Sequence, residues 1–176
     1  MANSELGRKS IEEFHKTDKN QIIIVLDNVR SLNNVGSVFR TADSFLLKAV
    51  YLCGITAKPP HREIQKTALG ATETVSWLHF DETLQAVQRL KQDNYRVIAI
   101  EQAEGSTSLD LFTPDIKCKY ALIFGHEVKG VSQEILNLCD QCVEIPQFGT
   151  KHSLNIAVSV GVVVWDVVSK LNKNNN

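Results

Sequence analysis

Three polar clusters, each after an apolar run of the chain, carry side chains that could bind and position a charged substrate. They are residues 34–40, residues 125–132 and the tripeptide Ser153-Leu154-Asn155. Their amide, hydroxyl and guanidinium groups make directional hydrogen bonds to hydroxyls and phosphates. Ligands of alternating α/β chains collect at the carboxyl ends of strands. We therefore expect the three clusters to meet at one edge of a sheet.

The second cluster has the composition of a phosphate-binding loop but not its order. A P-loop needs lysine directly after its second glycine so that the amine reaches the terminal phosphates, whereas Lys129 precedes Gly130. This excludes an NTPase of that class. Gly125, at the exit of a strand, would instead let a ligand approach the main chain closely. A turn with a helix cap at Ser132 is the plainer interpretation of the same residues.

Composition and charge set the broad class. A chain of 176 residues with 43% hydrophobic and 22% charged residues is typical of one globular domain. The formal net charge of −1 argues against a protein that binds nucleic acid over its whole surface and leaves room for a local basic patch. Residues 1–8 lack the apolar core of a signal peptide, so we expect a cytoplasmic chain with reduced cysteines. Cys139 and Cys142 have no second ligand pair nearby in the sequence, so no metal is expected.

The chain alternates between apolar strands and amphipathic helices. Strands are predicted at 21–27, 49–53, 74–78, 95–100, 120–124 and 143–145, and helices at 34–45, 61–69, 81–92, 132–138 and 154–171. The continuous β-branched run in the first strand favours a parallel sheet with both faces covered. The pattern predicts one α/β domain over residues 21–171, an N-terminal segment 1–20 and a disordered tail 172–176.

The last predicted helix, 154–171, is apolar on almost every side until Asp166. It must therefore be buried, either in a subunit interface or as an internal core helix of a monomer. A membrane span needs about 20 apolar residues, and this stretch is shorter. Ala157 and Gly161 put small residues on one face, where a second backbone could come close.

Taken together and in order, the three clusters resemble the motifs of the SpoU/TrmH family, RNA methyltransferases of the SPOUT class. The resemblance covers nearly everything from Ile22 to Val168. The first motif is an asparagine, a glycine two later and an arginine six later. The second is Gly-x-Glu-x-x-Gly after an apolar strand, and the third is Ile-Pro, a glycine and Ser-Leu-Asn. The matching residues are, in order, Asn34, Gly36 and Arg40; Gly125, Glu127 and Gly130; and Ile145, Pro146, Gly149, Ser153, Leu154 and Asn155.

The resemblance implies a single-domain parallel sheet flanked by helices with a C-terminal deep trefoil knot. It also implies S-adenosylmethionine as cofactor and a homodimer with its sites at the interface, in agreement with the apolar last helix. The cofactor pocket would be lined by Glu101, Gly125, Ile145, Gln147 and Leu154. Gln147 stands where many family members carry methionine, which matters little if that contact is made by the main chain.

The implied reaction transfers a methyl group to RNA, most simply to a ribose 2′-hydroxyl of tRNA or rRNA. Its catalytic candidates are Arg40, Asn34, Glu127, Ser153 and Asn155. Because a guanidinium stays protonated in proteins, we interpret Arg40 as a bidentate clamp on the phosphate beside the target ribose. Asn34 and Asn155 would fix the ribose and Arg40, Ser153 would orient the hydroxyl, and Glu127 would hold the arginine or the knot loop.

Basic residues that follow the second strand or precede the third motif are candidate RNA contacts: Lys58, His61, Arg62, Lys66, Lys151 and His152. Such a run is more often a solvated face, but Lys151 and His152 directly precede Ser153. Two other functions fit the same motifs. One is base methylation, as in other SPOUT branches, and the other is a catalytically inert knotted dimer that binds RNA.

Overall fold

The computed structural model describes residues 9–150 and 153–173. Its strands form a seven-stranded sheet of order β3-β2-β1-β6-β4-β7-β5, in which all neighbouring strands are parallel. The strands are β1 (Asn20–Asp27), β2 (Leu47–Cys53), β3 (Trp77–Phe80), β4 (Tyr95–Ile100), β5 (Thr107–Ser108), β6 (Lys119–Phe124) and β7 (Gln141–Glu144). The helices are α1 (Ile11–Lys16), α2 (Leu32–Ser44), α3 (Arg62–Ala68), α4 (Ala71–Thr74), α5 (Thr83–Gln92), α6 (Gln133–Leu136) and α7 (Ile156–Lys173).

Both faces of the sheet are covered, because alternate residues of β1 enter two different cores. Ile22, Ile24 and Leu26 pack with α2, α3 and α7 on one face. Ile23 and Val25 pack with α5 and α6 on the other. This confirms the parallel α/β sheet predicted from the unbroken apolar run of the first strand.

Asp140 fixes the register of the strands at the far end of the sheet. Its backbone amide donates to the carbonyl of Val97 at 2.8 Å, and its Oδ2 accepts from the amide of Val97 at 2.7 Å. Its other carboxylate oxygen accepts from Lys91 at 2.9 Å. Asp140 therefore holds β7 beside β4, so that the loops leaving these two strands are neighbours.

Three elements differ from the sequence-based expectation. The strand expected at 74–78 lies at Trp77–Phe80, because residues 71–74 close a short helix first. β5 forms in the loop that contains Gly105 and pairs with β7. Helix α1 lies inside the segment 1–20, where a capping box between Ser10 and Glu13 starts it and Phe14 anchors it in the core. The domain bounds themselves stay a prediction.

Helix α7 is buried on one side only. Its buried residues include Val160, Val163, Val164 and Val167, which pack on the sheet within this chain. Val158 is 51%, Val162 39% and Trp165 61% exposed. The expectation of burial on nearly every side was thus wrong for the single chain, because a helix on one face of a sheet has an outer stripe. The helix continues through Lys173, and residues 174–176 lie outside the described part.

The cysteines Cys53, Cys118, Cys139 and Cys142 are all free. Burial is the main cause that raises the pKa of the Cys53 and Cys139 thiols, each to about 12. Within residues 9–150 and 153–173, no three His, Cys, Asp or Glu side chains cluster closely enough to hold a metal ion. In the same ranges, no helix has the length and apolar character needed to cross a membrane.

Candidate active site

A cavity of about 290 Å³ opens at the carboxyl edge of the sheet, between the loops after β4, β6 and β7 and the start of α7. The residues expected to line a cofactor pocket all line it, and so do two of the catalytic candidates. They are Glu101, Gly125, Ile145, Gln147 and Leu154, with Glu127 and Ser153. The edge predicted from strand alternation is therefore where the second and third clusters meet.

The loop from Gly125 to Val131 folds back on itself. His126 and Gly130 exchange two backbone hydrogen bonds, of 3.2 and 2.8 Å. A Cβ placed on Gly125 would lie 2.2 Å from the carbonyl carbon of Gly130, and Gly130 itself has φ +66°. Gly125 is thus required by the packing of the loop against itself. The close approach of a ligand to its main chain, expected from its place at a strand exit, stays a prediction.

Glu101 supports the same loop from the neighbouring strand β4. Its Oε2 accepts from the backbone amide of Val131 at 3.0 Å, and its Oε1 accepts from the amide of Gln102 at 3.0 Å. A Cβ on Gly130 would lie 2.2 Å from Glu101 Oε2. Glu101 lines the cavity, but the contacts it makes within the chain hold the loop in place.

Glu127 connects the loop to the start of α2. Its Oε1 accepts from the amide of Ser31 at 3.2 Å, and its Oε2 accepts from the amide of Arg30 at 3.3 Å. Partial burial acts to raise the pKa of this carboxyl, but backbone amides of its own residue, Ser31 and Arg30 outweigh it, so the pKa lies below the ordinary value. Of the two roles predicted for Glu127, holding Arg40 and holding the loop, the contacts match the second.

Asn34 and Asn155 join the first motif to the third. Asn155 Nδ2 donates to Asn34 Oδ1 at 3.2 Å. Asn155 Oδ1 accepts from the amide of Ala157 at 2.9 Å, so the same side chain also caps α7. The structure therefore brings the two amides together, and their predicted role in fixing the ribose and Arg40 stays a prediction.

Arg40 lies apart from the cavity. It is exposed on α2, and with Lys66 of α3 and Gly161 of α7 it lines a separate groove. Asn34 and Arg40 are six residues apart, which places them about 120° apart around the helix axis. Within one chain the structure therefore does not bring Arg40 to Ser153 or Glu127, contrary to the single cluster expected from the sequence.

Two of the other predicted RNA contacts, Lys66 and Arg62, lie on α3. Lys66 forms an ion pair of 2.7 Å with Glu63 and lines the groove with Arg40. Arg62 is exposed at the first position of α3. Lys151, and His152 beside it, lie outside the described residues.

One residue of the site gave no signal in the sequence analysis. His126 Nδ1 accepts from the backbone amides of Val128 at 3.0 Å and Lys129 at 3.3 Å. That arrangement requires an unprotonated Nδ1 and so places the ring proton on Nε2. Nε2 is buried and finds no partner among the described residues. His126 thus shapes the wall of the cavity and offers a donor.

The comparison with protein families decides what these motifs belong to. Residues 21–165 match the profile of the SpoU rRNA Methylase family. The chain belongs to the SpoU family. A tRNA (guanosine(18)-2′-O)-methyltransferase of Borreliella burgdorferi is 29% identical over 163 residues, which cover 93% of this chain and 73% of that protein.

Solved structures share the SpoU fold of this chain. The A. aeolicus TrmH/SpoU tRNA modifying enzyme has a TM-score of 0.82 at 21% identity, covering 94% of this chain and 84% of that one. An AdoMet-bound rRNA methyltransferase from Sinorhizobium meliloti has a TM-score of 0.78 at 25% identity, covering 87% of this chain and 58% of that one. The parallel α/β fold is therefore that of SpoU methyltransferases.

The glycine of the first SpoU motif has a packing role here. A Cβ on Gly36 would lie 2.1 Å from Thr67 Oγ1 and 2.3 Å from the backbone oxygen of Ile64. Thr67 donates to the carbonyl of Asn33 at 3.0 Å across the same contact. Only glycine lets α2 and α3 approach this closely, and the approach builds the groove that holds Arg40 and Lys66.

The cavity suits S-adenosylmethionine by the chemistry of its lining. Apolar side chains such as Ile100, Phe124 and Ile145 give a surface for the adenosine, and the carboxylates of Glu101 and Glu127 favour a positive charge nearby. The unpartnered His126 Nε2 adds a buried donor in the wall. These residues fit a cofactor with an apolar base at one end and a cation beside it.

Proposed function

We propose that this chain is an S-adenosylmethionine-dependent RNA methyltransferase that modifies a ribose 2′-hydroxyl of tRNA or rRNA. The observation that carries the proposal is the cavity in which residues of the second and third SpoU motifs meet, joined to the first motif by Glu127 and by the Asn34–Asn155 pair. The Borreliella relative is named for this reaction on tRNA, and the Sinorhizobium structure holds AdoMet.

Glu101, Gly125, Ile145, Gln147 and Leu154 would hold the cofactor. When bound, S-adenosylmethionine supplies a methyl group on a positively charged sulfur, and this methyl moves to the ribose oxygen while the hydroxyl releases its proton. The chain's part is to hold the oxygen in line with the methyl and to give the proton a path. Positioning of this kind contributes a large share of catalysis in group transfer.

Asn34, Asn155 and Ser153 would position the ribose. Asn155 Oδ1 is occupied by the cap of α7 and one of its Nδ2 hydrogens by Asn34. An amide nitrogen carries two donors, so Asn155 keeps one and Asn34 keeps both of its own. These donors can bind ribose oxygens, and Ser153, which lines the cavity, can orient the 2′-hydroxyl. The proton then passes to water or to the adjacent phosphate.

Arg40 would complete the site of a second copy of the chain in a homodimer. Its groove includes Gly161 of α7, the helix whose outer stripe of Val158, Val162 and Trp165 is apolar and exposed. Packing this stripe against a second copy would bury it and would bring Arg40 toward the other chain's cavity. There its guanidinium would clamp the phosphate beside the target ribose with two parallel hydrogen bonds.

The same proposal includes a trefoil knot, in which the C-terminal part of the chain crosses the loop 125–131. Ile145, Leu154 and that loop all line one cavity, as such a crossing requires. The compartment we propose is the cytoplasm, where thiols stay reduced and RNA is at hand.

The test is methyl transfer by mixed dimers. Wild-type protein should transfer tritiated methyl groups to bulk tRNA or rRNA. After alkaline hydrolysis the label should remain in dinucleotides, because a methylated 2′-oxygen cannot attack the neighbouring phosphodiester bond. Arg40→Ala and Ser153→Ala should each be inactive while still binding the cofactor. Arg40→Lys should rescue little, since it lacks the bidentate fork.

Refolding the two inactive variants together distinguishes the arrangements. If Arg40 serves the other chain, half of the dimers regain one intact site, about a quarter of wild-type activity per chain. Activity no greater than the sum of the two variants would place Arg40 in its own chain's site. Label in a methylated base would indicate base methylation instead, and cofactor binding without any transfer would indicate an inert RNA-binding dimer.

A further inference from the structure

A second cavity, of about 590 Å³, lies on the other side of the loop 125–131 from the first. It opens at the carboxyl ends of β1, β2 and β6 and at the start of α5. The two cavities share His126, Lys129 and Gly130 as lining residues. A single loop is therefore the wall between them, and a molecule bound across its rim could reach into both.

The floor of the second cavity is a preformed polar network. Asp27, only 5% exposed, accepts at Oδ1 from Asn28 Nδ2 at 2.8 Å and from the hydroxyl of Thr83. Asn28 in turn accepts from the amide of Ile55 at 3.1 Å. A Cβ on Gly54 would lie 2.1 Å from Asn28 Oδ1, so the turn admits only glycine in this position. Such a floor needs no ordering when a ligand binds.

The floor keeps one acceptor available. Both recorded contacts of the Asp27 carboxylate fall on Oδ1, and within residues 9–150 and 153–173 no hydrogen bond reaches Oδ2. Asp27 lines the cavity, and Oδ2 is not fully enclosed there. A carboxylate oxygen in this setting accepts a hydrogen bond from a ligand amino group, as acidic side chains do from the amino group of a base.

The rim has a different chemistry. Arg30 and Lys129 are exposed, line the cavity and form no ion pair with any described residue. Ile55 lies beside them and is 59% exposed. The carboxylates of Asp81, Glu82 and Glu134 also line this cavity and are exposed, so its mouth carries both signs of charge. The acceptor below and the apolar side chain at the edge match an amino-bearing base and its flat face, and Arg30 and Lys129 are the groups at the mouth that can bind phosphates.

We propose that the second cavity binds the base of the nucleotide whose ribose is methylated, and that Asp27 Oδ2 selects bases carrying an exocyclic amino group. This inference rests on the proposed function, because the shared loop places the ribose at the boundary between the base and the cofactor. Arg30 and Lys129 hold the flanking phosphates. Asp27 is a specificity residue and takes no part in the transfer itself.

A matched pair of nucleotides tests the recognition without any catalysis. Cytidine and uridine 5′-monophosphates differ at position 4 of the base, where one carries an amino group and the other a carbonyl, and at the adjacent N3, which accepts in cytosine and carries a hydrogen in uracil. Titrated into the wild-type protein by ¹H–¹⁵N correlation NMR, cytidine 5′-monophosphate should shift the amides of Asn28, Ile55 and Lys129 and bind about tenfold more tightly than the uridine compound. Asp27→Asn turns the acceptor into a donor and should reverse this preference. Its folding is checked by thermal unfolding.

A variant whose side chain fills the second cavity provides a second test. Ile55→Trp should abolish the shifts and raise the KM for RNA at least about tenfold, with an unchanged Kd for S-adenosylmethionine. Ile116→Trp, a change at a residue 43% exposed that lines neither cavity, should do neither. Equal binding of the two nucleotides, no shift at these amides, or an unchanged KM in Ile55→Trp would overturn the inference. Absence of methyl transfer by the wild-type protein would instead overturn the proposed function. The NMR titration would still decide whether the second cavity binds bases that carry an amino group.

Discussion

Replacing Glu127 with glutamine tests whether this carboxylate holds the first and second motifs together. Both of its oxygens accept a backbone N–H, one from Ser31 and one from Arg30. Glutamine keeps one acceptor, and its NH₂ group then faces a backbone N–H donor. The variant therefore loses one charge-assisted hydrogen bond and leaves a partly buried amide without an acceptor at the start of α2.

The expected cost follows from that geometry. A hydrogen bond to a charged group contributes about 1.5–3 kcal/mol, and because Glu127 is only half-buried we take about 1.5 kcal/mol, equivalent to about 3–6 °C in Tm for a domain of this size. The folded-state pKa of Glu127 lies below its ordinary value of 4.5. The ionised carboxylate thus stabilises the fold above pH 4.5, and this stability is lost as the pH falls through the folded-state pKa.

Urea unfolding between about pH 6 and about pH 3 measures both effects. Glu104→Gln, which makes the same change at an exposed loop residue, is the matched control. The difference in free energy of unfolding between wild-type and Glu127→Gln should be largest at pH 6 and should shrink below pH 4.5. If Glu127→Gln is as stable as Glu104→Gln at pH 6, or if the difference grows in acid, the carboxylate does not join the motifs as described.

Three further predictions concern the packing of the chain. Trp165→Lys changes a side chain that is 61% exposed, so light scattering should show a folded monomer in place of a dimer. Val164→Lys puts a charge at a residue fully buried within the chain and should unfold the protein. An unchanged mass for Trp165→Lys would contradict the α7 interface. Gly36→Ala should lower the free energy of unfolding by about 1–3 kcal/mol because its methyl meets the backbone of Ile64, while Gly149→Ala, with open space around it, should change it little. Burial of Cys53 and partial burial of Cys139 raise both thiol pKa values to about 12, so both should react with iodoacetamide at pH 8 about a hundredfold or more slowly in the folded protein than in urea. Peptide mapping measures the two rates, and equally rapid labelling in both states would contradict the raised pKa values.

The sheet was predictable because its strongest signals were local. The five-residue apolar run Ile22–Leu26 has the length of a typical strand, and no polar residue alternates with the apolar ones. It therefore indicates a strand of a sheet that is covered on both faces. The strand at Trp77–Phe80 was predicted a few residues too early because its local signal is weak. Its burial is partial, and the short helix before it contains Thr74, a residue type common in strands.

The residues that line the cavity were predictable from the sequence, but the geometry of the three motifs was not. Residue types and spacing located the cavity, because parallel strands bring their carboxyl ends together wherever they lie in the sequence. The place of Arg40 could not be read in this way. The spacing of six residues places Asn34 and Arg40 on different sides of α2, but the groove that Arg40 lines depends on how α3 and α7 pack against α2, and no local pattern predicts that packing. His126 gave no signal since its role comes from two backbone amides that only the folded loop presents to it.

The three motifs are linked by hydrogen bonds, and this explains why they occur together. Glu127 in the second motif holds the start of α2, which carries Asn34 of the first motif, and Asn34 accepts from Asn155 of the third, which caps α7. A change in any one of these contacts moves the next. Substitutions at Glu127, Asn34 and Asn155 should therefore be non-additive in stability, with the double variant Asn34→Ala/Asn155→Ala costing less than the sum of the two single variants by about 0.5 kcal/mol or more. Strict additivity in a double-mutant cycle would mean that the motifs act independently and only line the same cavity.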